Sequence, residues 1–317
     1  MEKNKKNLFL GIILVILVII AYGYYFEQNQ SEGKQNNFLS GVNPKEISKI
    51  EVNTLGSSTA LLKQEERWKI DGEEGFYVSS EVASDMEQSL ANLVKADFEL
   101  ASENSEKKEI YHTDEKHGAE VKLYRGEEMV ADFIVGRLDS PTVSHTYISR
   151  PEREKTYLAR NVQLTGIFLR EDWRSKAIFD NPEKEVKKLR FQYPEKEFSL
   201  TRKETEEGDK VWRSTEPNSF TADSKKVSEI TDLMIDLTAT QIPEQKFEGT
   251  GLEKHLIIVE AQGGEWSNTI MVGEKYEADG EKDFYYAKKG SSDNIYLITK
   301  EQRDILKALP EELRSEK

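Results

Sequence analysis

The 317-residue chain carries 59 acidic side chains, four histidines and no cysteine, and these set the chemistry open to it. His112 and His117 lie five residues apart, whereas a two-histidine zinc helix needs a spacing of four with a Glu between. They read, like His145 and His255, as loop or hairpin residues. Without cysteine there are no disulfides, thiolate nucleophiles, cysteine-held metals or lipid-attachment site. No G-x-S-x-G elbow occurs, and no glycine-rich loop opens a helix after a strand. Gly249-Thr250-Gly251 and Gly263-Gly264 read as turns. Asp71-Gly72-Glu73-Glu74-Gly75 is acidic, but lacks the alternating ligands and closing Glu of a calcium loop. Carboxylates are so numerous that no acid/base pair stands out. The expectation is a chain with no catalytic residues, no metal ligands and no cofactor.

Aromatic residues offer a different chemistry. Tyr147, Tyr157, Tyr285, Tyr286 and Tyr296 fall on stretches that alternate like strands, with Phe284 beside them. They are the candidate interaction surface, a platform for glycan or peptide. The competing reading, core packing and cross-strand pairing, carries more weight. Trp68 and Trp212 occupy matching places in two parts of the chain, which points to a core role.

The elements that position these residues begin with an anchor. Leu8 to Phe26 is uncharged over 19 residues. As a helix it covers about 28 Å, close to the hydrocarbon thickness of a bilayer. Tyr22, Tyr24 and Tyr25 gather at its end, and Lys3, Lys5 and Lys6 precede it. By the positive-inside rule the N-terminus (residues 1–7) is cytoplasmic and the body extracytoplasmic. A signal peptide would have a shorter apolar run and a clearer cleavage site than Ala21 and Gly23 supply. Residues 27–44 read as a polar linker.

Net charge is −14; setting aside the +2 of Lys3, Lys5 and Lys6 against Glu2 leaves about −16 on the remainder. Such a body is repelled by phosphate backbones, so no nucleic-acid partner is expected.

The remainder repeats itself. Ile47-Ser48-Lys49-Ile50-Glu51-Val52 and Val186-Lys187-Lys188-Leu189-Arg190-Phe191 alternate as half-buried strands, and each leads through a second strand to Trp68 or Trp212. An amphipathic helix follows, with Val82, Met86, Leu90, Leu93 and Val94 on one face, or Val227, Ile230, Leu233, Met234 and Leu237. A meander comes next, in which Phe133-Ile134-Val135-Gly136 matches Ile270-Met271-Val272-Gly273 and Lys155-Thr156-Tyr157-Leu158 matches Asn294-Ile295-Tyr296-Leu297. Closing helices are expected from Asn161 to Arg174 and from Thr299 to Leu309. The fold class is α+β: an N-terminal transmembrane helix, then two similar units (45–180 and 181–317) of mainly antiparallel strands with amphipathic helices.

On these landmarks the chain resembles the bacterial family called domain of unknown function 4340. The shared features are the strand-strand-Trp opening at Trp68 and Trp212, the step Gly251-Leu252-Glu253, strand ends at Gly136 and Gly273, and Tyr157 and Tyr296 inside strands. In the first unit Tyr111-His112-Thr113-Asp114 stands where that step belongs. The resemblance implies an extracytoplasmic accessory role, since some relatives look like auxiliary components of ABC-type exporters or gliding systems.

The functional expectation is a non-enzymatic, single-pass accessory protein of an export or envelope complex. Its partners would be the bilayer, through residues 8–26, and a membrane or envelope protein. The alternative is an envelope glycan- or peptide-binding protein or hydrolase, with a cleft between the units.

Overall fold

The computed structural model describes residues 37–151, 154–215, 217–277 and 283–315. The expected transmembrane helix lies outside them, and among the described residues no helix is long and apolar enough to cross a membrane. The rest is α+β, with two similar antiparallel sheets.

In the first unit, β1 (Lys49–Thr54), β2 (Ser57–Gln64) and β3 (Arg67–Ile70) form a meander. Ile50 and Val52 point into the core while Glu51 points out, as the two-residue period of a strand dictates. Helix α1 (Ser80–Leu93) follows, burying Met86, Leu90 and Leu93 at the spacing of one helical face. Then come β4 (Phe98–Ser102), the one-turn α2 (Lys108–Tyr111), β5 (Ala119–Arg125), β6 (Glu128–Ser140), β7 (Val143–Ser149), β8 (Thr156–Ala159) and the one-turn α3 (Thr165–Phe168). The sheet order is β3-β2-β1-β5-β6-β7-β8-β4.

The second unit has β9 (Ala177–Asp180), β10 (Lys188–Tyr193), β11 (Lys196–Glu204), β12 (Lys210–Ser214), β13 (Phe220–Thr221), α4 (Ser224–Ile235), β14 (Asp236–Thr238), β15 (Ile257–Gln262), β16 (Ser267–Tyr276), β17 (Phe284–Lys289) and β18 (Ile295–Thr299). Helices α5 (Lys300–Leu306) and α6 (Pro310–Leu313) close it. Its sheet runs β13-β12-β11-β10-β15-β16-β17-β18, and β14 pairs with β9. The register repeats: Val52 faces Val121, and Phe191 faces Val259.

Several boundaries differ from the sequence reading. Asn37 is buried, and its amide donates to Leu93 O at 3.0 Å and Ala96 O at 2.9 Å, satisfying carbonyls left open where α1 ends. Residues 37–44, expected as linker, therefore begin the first unit. The contacts divide the chain after residue 173 rather than 180, and residues 73–79 belong to the second unit although they precede α1. The closing helix expected over Asn161–Arg174 is a single turn. Beyond it the Ser175 amide donates to Tyr77 O at 2.8 Å, and that extended pairing is incompatible with a continuing helix.

This pairing occurs twice in the second unit. Arg174 sits 5.5 Å over the Phe76 ring, and Arg314 sits 5.6 Å over Phe220. The Ser315 amide reaches Thr221 O at 3.0 Å, as Ser175 reaches Tyr77. Each stretch leading into an amphipathic helix is thus latched by an Arg-Ser pair from beyond the meander.

Candidate interaction surface

Strand alternation divides the five candidate tyrosines. On β7 and β8, Tyr147 pairs with Leu158 and Tyr157 with Ile148, so the two tyrosines lie on opposite faces. On β17 and β18, Tyr285 and Tyr296 share a face and Tyr286 takes the other. Tyr147 and Tyr296 are buried, while Tyr157, Tyr285 and Tyr286 are half-buried.

Each tyrosine has its own setting. The Tyr147 hydroxyl donates to Asp139 Oδ1 at 2.6 Å, its ring lies 4.6 Å from Tyr111, and Arg137 stands 5.0 Å from it. Burial and then that hydrogen bond push the phenol up to about 12, so it stays neutral. Tyr157 packs against Phe38 and Phe98, and Tyr296 against Phe76. Tyr285 lies under Arg303, and Tyr286 meets Tyr276 edge-on at 5.4 Å. The half-buried rings stand in separate settings, Tyr157 against Phe38 and Phe98, Tyr285 under Arg303 and Tyr286 against Tyr276, and not as a continuous shelf.

Two of the first unit's histidines, His112 and His117, gather after α2. The rings of His112 and His117 stack 5.1 Å apart, and His117 Nδ1 lies 3.0 Å from both Asp114 oxygens. Burial raises the Asp114 carboxyl, but hydrogen bonds from His117 and the Lys116 amide outweigh it, and the net shift is downward. Burial holds Lys108 below the usual lysine range. Lys108, Asp114 and His117, with Thr113 and Ile134, line an open recess of about 470 Å³. Its buried hydroxyls are engaged: Thr113 Oγ1 bonds Thr156 Oγ1 at 3.1 Å, and Ser149 Oγ donates to Thr113 O at 3.2 Å. Those bonds tie the turn to β7 and β8. Among the described residues no group of three or more His, Asp or Glu is placed to hold a metal.

The same turn recurs in the second unit. His112 has φ 55° and Gly251 φ 67°, both left-handed. Beneath them a strand glycine admits a backbone carbonyl: a Cβ on Gly136 would stand 2.4 Å from Tyr111 O, and one on Gly273 2.3 Å from Thr250 O. The stretch Tyr111-His112-Thr113-Asp114, which departs from the Gly-Leu-Glu step in letters, keeps its backbone. The paired glycines 136 and 273 were the signal that carried this correspondence in the sequence.

Sequence reasoning missed a broad cleft, about 850 Å³, between α4 and the closing helices of the second unit. Ile230 and Ala308 are buried at its floor, while Lys226, Glu229, Lys300, Glu301, Asp304 and Glu312 line it. Lys226 Nζ donates to Glu312 O at 2.6 Å. The signal was the polar face of α4, which reads simply as solvated. This lining offers ion pairing to a partner.

No curated protein and no solved structure matches the chain. A family model does match, over residues 68–210 and 212–317, in two tandem segments that take in most of the sequence. With the duplicated sheets, latches and left-handed corners, this match places the chain in the family described as Domain of unknown function (DUF4340).

Proposed function

We propose that this protein is a single-pass, membrane-anchored component of the bacterial envelope whose extracytoplasmic body acts as an interaction module, an accessory subunit of an ABC-type export or other envelope complex. The observation that carries the reading is a distance along the chain. The uncharged run ends at Phe26, and Asn37 is already buried in the body, leaving ten residues between them. Ten residues span at most about 35 Å when fully extended. A body so tied meets partners that are themselves in, or close to, the membrane. The mixed charges of the α4 cleft and the Arg303–Tyr285 pair suit protein contacts.

In-cell cross-linking of the tagged full-length protein, with mass spectrometry of the membrane fraction, tests this. Reproducible capture of transporter or envelope-machine subunits is the expected result. A protein recovered in the soluble fraction, or one cross-linked to nothing but itself, overturns the reading.

A further inference from the structure

We infer that the edge of the first unit bearing Phe38, Val42 and Met129 rests on the outer surface of the bilayer, an inference that builds on the membrane-anchored reading above. The chain enters the body at this edge. Asn37 is pinned to the end of α1, and the next residue, Phe38, packs edge-on to Phe98 at 5.3 Å. Phe38 and Val42 remain partly exposed, and Met129 is 50% exposed, one of few large apolar side chains so open among the described residues. With Val130, Asn43 and Arg125 they line an open recess of about 470 Å³. Strand β7 pairs with β6 only from Ile134 onward, so the Met129 end of β6 has β5 alone as its ladder partner.

The charge of this edge also suits a lipid surface. The body as a whole is acidic, but here Arg125 bonds both Glu46 at 3.2 Å and Glu128 at 2.6 Å, which offsets one of those two negative charges. Arg150 lies 5.1 Å over the Phe38 ring. In that arrangement the ring enters the headgroup layer while the guanidinium reaches a lipid phosphate. Ten residues between Phe26 and Asn37 span at most about 35 Å, so the edge is held at high effective concentration beside the membrane. Weak apolar contacts then suffice to keep it there.

Because the protein has no cysteine, single labelling sites can be introduced cleanly. Met129→Cys marks the proposed contact. Leu55→Cys, 75% exposed in the turn at the opposite end of the β1–β2 ladder, is the reference. Each full-length variant is reconstituted into phosphatidylcholine vesicles, labelled with an environment-sensitive fluorophore and challenged with lipid-borne quencher. The expected result is a blue shift and loss of intensity at position 129 and neither at 55. Equal quenching at the two positions in vesicle-retained protein overturns the contact while leaving the anchor intact. Release of the protein by an alkaline wash overturns the anchor and the contact together.

Discussion

His112 and Gly251 hold the same left-handed turn in the two units, each set over a strand glycine that a backbone carbonyl approaches. The duplication is thus preserved at the level of backbone torsion where the side chains have diverged. For an L-residue this torsion costs about 1–2 kcal/mol. His112 sustains it where two threonine and serine hydroxyl contacts secure the turn.

Gly136 and Gly273 should therefore resist substitution. Gly136→Ala and Gly273→Ala are each expected to cost about 2–3 kcal/mol, because the new methyl meets a carbonyl that cannot retreat without moving the turn. Gly126→Ala, left-handed with nothing within 4 Å of its Cβ, should cost about 1 kcal/mol from torsion alone. Urea melts of the three variants test the order, and equal losses would refute the close-approach argument.

Phe76 belongs to the second unit's core despite its place before α1. It is 2% exposed, and Phe76→Ala should cost about 3–4 kcal/mol. Hydrogen exchange locates the loss: protection should fall in β17 and β18. A loss confined to β1–β3 would show that the segment serves the first unit instead. For the same reason residues 174–317 expressed alone should be less stable than the second unit within the whole chain.

Glu87 links two elements, accepting from Trp68 Nε1 at 2.9 Å and Lys63 Nζ at 2.8 Å. Burial pushes its carboxyl up, but the two hydrogen bonds outweigh it and the folded state holds it below 4.5. Stability from this group is present above that value and lost as pH falls through the lower, folded one. Trp68→Phe removes one donor, so the variant should show a shallower acid limb in a pH series of thermal melts. An unchanged limb would deny the bond a role.

Tyr147 titrates at the other end of the scale. Its raised value means the unfolded chain ionises first, near 10, so stability declines as pH rises from there toward about 12. Asp139→Asn should lower the phenol's ionisation midpoint, read by ultraviolet difference absorbance at high pH. If the midpoint does not move, burial alone sets it.

The duplication was legible because it is written in local patterns. Alternation at Ile50 and Val52, helical spacing at Met86, Leu90 and Leu93, and a Gly at the same point of β6 and β16 each follow from neighbours along the chain. What escaped depended on distant partners. Asn37 looks like linker until the open carbonyls of Leu93 and Ala96 stand beside it. Residues 169–175 have helical composition, yet the Ser175 amide finds Tyr77 O in an extended ladder. The tyrosines seemed one surface because they lie on neighbouring strands, but a one-residue offset in register sends Tyr147 and Tyr157 to opposite faces.

The two bonds from the Asn37 amide also make a mechanical junction. Any pull along the tether is delivered first to the C-terminal end of α1, through Leu93 and Ala96, and only then along the chain toward β1. Under the proposed anchoring, tension between membrane and body would begin to undo the first unit at the seat of its helix, with the paired interior of the sheet loaded last.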